Sequence, residues 1–369
     1  MSLPEGLLSG AYTYAARVDS WLGSQWLGQV PVAGGSVSWT TGQQVQGTLS
    51  LTVPRYGSAS EDEDARDFTP DSPEAPLACF GQVLRVTLVV TSLVDGTEYT
   101  EPGGHFLITS SETDSDAVTV SAKSLAHRLE ENRLATVTVP RKGGTLASEV
   151  RRLVGAQMGI VVDEGLVDRA CPSSMSWGES RIDAVYEIAD AWPARLREGR
   201  DGSLYLLPPV EEITEPPERV LTDGVDGTVV GVKRAWTREQ VYNRVVARGQ
   251  DTDDAGQPTF QAVASQTSGP LSVAGPYGIV VKFWSSPLVT SQVIADKSAR
   301  TMLASSVRRA MTVPVELAPD PSLQLDEPVR LRTHDVDGTP PVEMWGRVTA
   351  LELPLLYEGV ARADIEIDT

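Results

Sequence analysis

Over the first 120 residues apolar and polar positions alternate with a period of two, the pattern of strands that bury one face. Leu49, Leu51 and Val53 alternate with Thr48, Ser50 and Thr52; Val86, Leu88 and Val90 alternate with Arg85, Thr87 and Val89; Phe106 and Ile108 lead on to Val118 and Val120. Asp95-Gly96 and Pro102-Gly103-Gly104 punctuate these runs as turns. The pattern predicts a β-barrel or sandwich over 1–120. It is interrupted by 54–77, a polar stretch containing Glu61-Asp62-Glu63-Asp64 and Pro70, Pro73 and Pro76. Loops longer than about 12–15 residues are uncommon in packed domains and are often functional or disordered.

The period changes across 121–232. Within 145–159, Leu146, Val150, Leu153, Val154 and Met158 share one helical face, with Gly155 or Gly159 as a stop. Within 180–192, Ser180 and Asp183 form a cap-like start, Ile182, Val185, Ile188 and Ala189 face the core, and Pro193 ends the helix. With strands such as 203–207 beside them, these helices predict a small α+β insert closed by the proline-rich 208–217. β-character then returns at 241–247, 278–284, 313–317, 329–331 and 345–353, and finally at Ile365 and Ile367. One helix, 291–311, interrupts it: Ala295, Ala299, Met302, Leu303, Val307 and Ala310 form its apolar stripe, and Arg308 and Arg309 sit where the helix dipole favours cations.

The two β regions share an outline. Each has a long polar loop (54–77 and 249–271), then a strand entered from a turn, Gly81-Gln82-Val83-Leu84-Arg85-Val86 or Asp326-Glu327-Pro328-Val329-Arg330-Leu331. An aromatic-led strand follows, Phe106-Leu107-Ile108-Thr109 or Trp345-Gly346-Arg347-Val348-Thr349, and then an alternating one. The expectation is a mainly β chain, a diverged duplication at 1–120 and 233–369 flanking a smaller helical and β middle region at 121–232.

Charge narrows the function. Lys and Arg number 31 against 50 Asp and Glu, a formal net charge of −19 over 369 residues. Duplex nucleic-acid binding needs a clustered basic face, which this sequence lacks. Hydrophobic residues, 41% of the chain, suffice for real cores, and the length fits two or three domains. No apolar run approaches the ~18–20 residues that span a bilayer, so no membrane insertion is expected. The first 17 residues lack the basic-then-apolar order of a secretory signal, which favours a soluble protein folded in a cytoplasm. Cys79 and Cys171, far apart and outside any CxxC, read as reduced, buried thiols rather than a disulfide framework.

Candidate chemistry is sparse. Nucleophilic catalysis needs a base beside a Ser, Cys or Thr, and His105, His127 and His334 are the only histidines, none in a GxSxG-like elbow. Zinc spacings are absent. Asp251-Thr252-Asp253-Asp254 begins like a calcium loop, but Ala255 and Ala262 stand where ligands belong, and Asp335-Val336-Asp337-Gly338 is a hairpin signal first. Gly143-Gly144 lacks the Gly-Lys-Ser/Thr of a phosphate loop. The tryptophans are spread as core aromatics would be. Glycoside hydrolysis needs only a suitably spaced carboxylate pair and stays open among so many acids. No catalytic residue, cofactor site or metal site is assigned, and nothing points to an enzyme.

The organisation is more telling. Ala16-Arg17-Val18-Asp19, the run Val30-Pro31-Val32-Ala33-Gly34-Gly35-Ser36-Val37, and 47–53 ending in Pro54 resemble the start of tail proteins from phages of actinobacteria. Ala299-Arg300-Thr301-Met302-Leu303, then Val313-Pro314-Val315-Glu316-Leu317 and Pro321-Ser322-Leu323-Gln324-Leu325-Asp326-Glu327-Pro328-Val329, resemble the last barrel of baseplate or tail-tip hub proteins. In that pattern a Pro-x-Leu-x-x-Gly-Asp turn joins two strands; Leu325-Asp326-Glu327 replaces its Gly-Asp.

The resemblance implies two tube-like β-barrel domains, 1–120 and 233–369, in a virion structural protein assembled in the host cytoplasm and placed at the tail tip. It implies a homotrimer whose six barrels form a pseudo-sixfold ring. That ring joins a distal tail or tail-tube protein above to a threefold fibre or spike protein below. DNA passes through without specific binding, and acidic residues lining the channel would repel its phosphates; ordinary solubility is the other reading of the charge. By likeness to tail-tube subunits, the two long loops contact the neighbouring ring, through Glu61, Asp62, Glu63, Asp64 and Phe68 in one and Asp251, Asp253, Asp254 and Phe260 in the other. Some members carry a carboxyl-terminal peptidase or wall hydrolase; a chain stopping at Thr369 directly after its last strand is expected to be purely structural. Two alternatives remain: a hexameric distal tail ring protein, which normally needs one tube-like domain per chain, and a carbohydrate-binding or glycan-cleaving surface protein.

Overall fold

A computed structural model describes the chain except residues 1, 2, 5, 60–63, 193, 211, 212, 225, 226, 234, 237, 240, 251, 253–255, 287, 288, 309, 310, 335–341, 368 and 369. The first β region holds β1 (Tyr12–Leu22), β2 (Gln25–Val30), β3 (Gly34–Thr40), β4 (Gly47–Pro54), the short β5 (Tyr56–Gly57) and β6 (Arg66–Asp67), β7 (Gln82–Ser92), β8 (Glu98–Thr113) and β9 (Ala117–Ser124). Their alternation is the burial pattern. Leu49, Leu51 and Val53 of β4 and Leu84, Val86, Leu88 and Val90 of β7 are buried, while the residues between them are partly or fully exposed.

The middle contains α1 (His127–Glu131), α2 (Leu146–Val154), β10 (Gly159–Val162), α3 (Arg181–Ala191), β11 (Arg195–Glu198) and β12 (Ser203–Leu207). Thr145 and Ser148 form the capping box that starts α2, and Ser180 Oγ accepts from Asp183 N to start α3. Leu146, Val150, Leu153, Ile182, Val185 and Ile188 bury the apolar faces of these helices against the sheet β10-β12-β11, making a core of their own.

The chain then returns to the first sheet through β13 (Val220–Thr222), β14 (Val229–Val232) and β15 (Ala235–Trp236). It leaves again for a third unit, β16 (Arg244–Gly249), β17 (Gln261–Ser265), β18 (Val281–Ser286) and α4 (Gln292–Arg308). Here Val245, Ala247, Ala262 and Ala264 pack against Ala295, Ala299 and Leu303, small side chains that let helix and sheet approach closely. This unit was expected to be part of the second barrel; its buried residues form a separate cluster. The chain finishes in the first core with β19 (Met311–Leu317), β20 (Pro328–Thr333), β21 (Val342–Pro354) and β22 (Ala361–Ile367).

The fold is mainly β, as the patterning predicts. The strands of the two β regions do not form two separately closed barrels: among the described residues they run as one 14-stranded sheet, β14-β19-β22-β21-β3-β4-β9-β8-β7-β1-β2 with β13, β15 and β20 alongside. The fusion is made by antiparallel pairing of Ser36–Thr40 in β3 with Ala350–Pro354 in β21. Thr41 N donates to Thr349 O (2.8 Å), Leu355 N to Gly35 O (3.0 Å) and Ala16 N to Leu355 O (3.0 Å), extending the joint beyond its ladder. The buried Tyr14 hydroxyl donates to Pro354 O (2.8 Å) and Ser36 Oγ to Glu352 Oε1 (3.0 Å).

On either side of this joint the strands repeat. The order β3-β4-β9-β8-β7 recurs as β14/β15-β19-β22-β21-β20. The register shifts between Ile108 and Ser110 in β8·β9, and between Val348 and Ala350 in β21·β22. The bulged residue is a threonine both times, and its Oγ1 donates to the facing carbonyl: Thr109 to Ser121 O (2.9 Å) and Thr349 to Asp364 O (3.2 Å). Bulges of this kind are built features that set strand twist and direction. Counting from them, Arg85 and Arg330 are equivalent, paired with His105 and Trp345. Gly81 and Asp326, which precede the equivalent strands β7 and β20, both have positive φ, 109° and 64°. Trp39 and Trp236 are equivalent as well, through Gly47 and Met311. The halves differ at their outer flank, where β1 runs antiparallel to β7 but β13 runs parallel to β20.

Gly35 is the tight point of the joint. Its φ is +123°, and a Cβ there would lie 2.1 Å from Ser50 O. Gly35→Ala is therefore expected to destabilise the protein by at least ~2 kcal/mol, through strain and displaced backbone. Chemical denaturation of the variant checks this; an unchanged midpoint would contradict it.

Candidate functional site

The hydrogen-bond partners of His127 and His334 are carboxylates. His105 is half-buried, and desolvation followed by the Arg85 charge pulls its pKa below the usual value. His127 Nδ1 lies 2.6 Å from Glu130 Oε2, and His334 Nδ1 2.6 Å from Asp223 Oδ1. Both cysteines are free thiols, but Cys79 is exposed rather than buried, while the partial burial of Cys171 pushes its pKa up to about 11. Among the described residues no group of three His, Cys, Asp or Glu side chains is placed to hold a metal ion, and no helix is long and apolar enough to cross a membrane.

The features with built geometry are surfaces and struts. The described residues of 54–77 are anchored: Tyr56 pairs with Asp67 and Gly57 with Arg66. Phe68 is 1% exposed, within the main core, and Arg66 lies over its ring at 4.7 Å while donating to Gln29 O (2.8 Å). Asp67 accepts from Thr69 N (2.8 Å) and Thr69 Oγ1 (2.6 Å), which holds its carboxyl below the ordinary range. Leu77 is buried, Ser20 Oγ donates to Pro76 O (2.6 Å) and Gln82 Nε2 to Pro73 O (2.6 Å). The hairpin base thus belongs to the core, and Asp64 and Tyr56 are exposed beyond it. Of the expected contact residues here, Phe68 is an anchor; Glu61, Asp62 and Glu63 lie outside the described residues.

The stretch 249–271 is not a loop throughout. β17 lies inside it, paired with β16, and Phe260 packs on the third core. Asp251, Asp253 and Asp254 lie outside the described residues. In the repeat, the connection matching β4-to-β7 is β19-to-β20, residues 318–327, so 249–271 is not the counterpart of 54–77. The strand was hidden because Ala262 and Ala264, its inward residues, carry little apolar signal.

A second built feature went unread in the sequence: β11 bridges the two halves of the main sheet. Buried Glu198 accepts from Gln46 N (2.6 Å), Ser124 Oγ (2.9 Å) and Ala126 N (3.2 Å), all from the first half and its exit. Gln46 answers by accepting from Glu198 N (3.1 Å) and donating to Leu196 O (3.0 Å). The neighbouring arginines face the second half. Arg195 and Arg197 both bond Asp326, and Arg200 donates to Pro321 O (2.6 Å) and Leu323 O (2.6 Å). The signal was Glu198 itself, a carboxylate in register with inward Leu196, a position that demands partners.

Family models and curated proteins give no match to this sequence. Solved structures do match. A tail protein from Neisseria meningitidis aligns over 97% of each chain at 14% identity with a TM-score of 0.63. The 43 kDa tail protein of prophage MuSo2 from Shewanella oneidensis aligns over 95% of this chain and 98% of its own at 12% identity, TM-score 0.57. Prophage tail protein gp18 from Listeria monocytogenes aligns over 96% and 94% at 10% identity, TM-score 0.55. The chain has the fold of phage tail proteins along nearly its whole length, and the resemblance read in the sequence holds at that level.

Two predictions follow from the anchored hairpin and the strut. Phe68→Ala should cost about 3–5 kcal/mol, as for other buried aromatics, whereas deleting 58–65 should leave the unfolding midpoint nearly unchanged; equal losses would contradict the anchoring. Burial raises the Glu198 pKa against the opposing effect of its hydrogen-bond donors. A raised folded pKa means a stability contribution fully present below the unfolded value and lost as pH rises through the folded one. Glu198→Ala, which strands buried donors, should therefore cost about 2 kcal/mol or more, with a larger penalty at pH 5 than at pH 7. Urea unfolding of both proteins at the two pH values tests the sign.

Proposed function

We propose that the chain is a structural hub of a phage tail tip or baseplate. Three copies form a ring of six near-equivalent units, joining a sixfold tail tube to a threefold fibre or spike protein and leaving a bore for DNA. The observation that carries this reading is the repeat: one chain holds two copies of the same strand order, bulge and threonine bond, already joined edge to edge. A chain that carries two equivalent units converts threefold into near-sixfold symmetry. Closed cyclic assembly is the ordinary outcome for such heterologous contacts when the rotation closes. The fold shared with phage tail proteins over at least 95% of this chain supports the same setting.

In this reading the tip of the 54–77 hairpin, with Asp64 and Tyr56, reaches the neighbouring ring, and its buried base keeps the tip at a fixed height. The net charge of −19 keeps DNA from adhering while it passes.

Light scattering after gel filtration tests the stoichiometry. The expected mass is three times 39.6 kDa. A mass six times that of the chain would instead indicate a hexameric distal ring, and a monomer that binds or cleaves cell-wall glycan would overturn the hub.

A further inference from the structure

The third unit differs from the chain around it in charge and in coverage. Residues 244–308 hold six Lys and Arg against four Asp, a formal +2 within a chain of −19. Their sheet has the order β17-β16-β18, and β16 runs parallel to β18. Sheets with parallel pairing ordinarily carry helices on both faces. Here α4 covers the face of Val245, Ala247, Ala262 and Ala264. Alternation sends the residues between them to the opposite face. Val246 pairs with Val263 on one side and Phe283 on the other, so the three form an apolar bar across all three strands. Val263 and Phe283 are open to solvent, at 55% and 61% exposure. Arg244 and Arg248 flank the bar on the same face. Arg248 lies over the Phe283 ring at 4.5 Å with its buried Nε making no hydrogen bond, and Arg244 Nε donates to Ser265 Oγ (2.9 Å). Among the described residues neither arginine is in an ion pair.

The geometry points to a helix of a second protein as the occupant of this face, one whose apolar stripe is flanked by carboxylates. Three strands spaced about 4.8 Å apart make a face about 10 Å wide, the width of one helix. Four residues along β16 separate the two arginines by about 13 Å, which matches about nine residues of a helix lying along the strands. Carboxylates at that spacing meet both guanidiniums, whose fork suits carboxylate recognition at interfaces. The apolar residues between them cover Val263 and Phe283. Charge selects the place as well as the partner: the rest of the chain carries a formal −21, from 25 Lys and Arg against 46 Asp and Glu, and repels an acidic helix elsewhere. A second copy of this chain does not supply the helix, because α2, α3 and α4 bury their apolar faces in their own cores. This docking face belongs to the third unit and does not rest on the hub reading.

Fluorescence anisotropy with the full chain tests it. The probes are two labelled helix-forming peptides that share one apolar stripe, one with Glu and one with Lys at two positions about nine residues apart, and a single-stranded oligonucleotide. The Glu peptide is expected to bind about tenfold more tightly than the Lys peptide, and Arg248→Glu to reverse that preference. Val263→Asp, at an exposed position, should weaken the Glu peptide about tenfold with the unfolding midpoint unchanged, and it carries the test should Arg248→Glu fail to fold. Equal binding of the two peptides, or binding of neither, would overturn the proposal. Tighter binding of the oligonucleotide, lost in Val263→Asp, would give the face to nucleic acid and overturn it as well. A fall in the solution mass of the Val263→Asp protein would make the face a contact between copies, again overturning the second protein; an unchanged mass, whatever its value, leaves the hub reading to its own test.

Discussion

The five-residue antiparallel pairing of β3 with β21 is the contact on which the rest of the structure depends. Each backbone hydrogen bond contributes only about 0.5–1.5 kcal/mol net, so the ladder alone is modest. Its weight comes from what it prevents and aligns. Without it, two half-sheets would each present an open row of N–H and C=O groups beside an apolar face. With it, residues from Tyr12 to Ile367 fall in one hydrophobic cluster. Gly35, at positive φ and against Ser50 O, lets β3 approach closely enough to serve β4 and β21 at once.

The insert reinforces the same seam. β11 lies across both halves, with Glu198 held by Gln46, Ser124 and Ala126 on one side and Arg195, Arg197 and Arg200 held by Asp326, Pro321 and Leu323 on the other. Such a strut is worth less as a sum of ion pairs than as a constraint. Removing one partner strands buried donors or charge, so the two halves cannot rotate independently without breaking the set.

Much of this was legible in the sequence, and the failures have physical causes. Period-two alternation located β4, β7 and β9, and helix caps located α2 and α3, because each of these elements buries one strong apolar face. The equivalence of Gly81–Val86 with Asp326–Leu331 was readable from the turn and strand alone, and the structure gives both openings a positive φ. The β3·β21 joint was not readable, since pairing between distant strands leaves no local mark. Nor was β17, where alanines replace larger residues under α4. Phe68, inside the same polar stretch, belongs to the core, which its lone aromatic ring among charged and proline neighbours did not reveal.

The claim at the centre of this account is that one chain holds two equivalent ring units. Cryo-electron microscopy of the assembled protein tests it most directly. The account predicts a ring in which the units at one radius number twice the chains. A ring whose two halves lie at different radii, or whose units equal its chains in number, would contradict it.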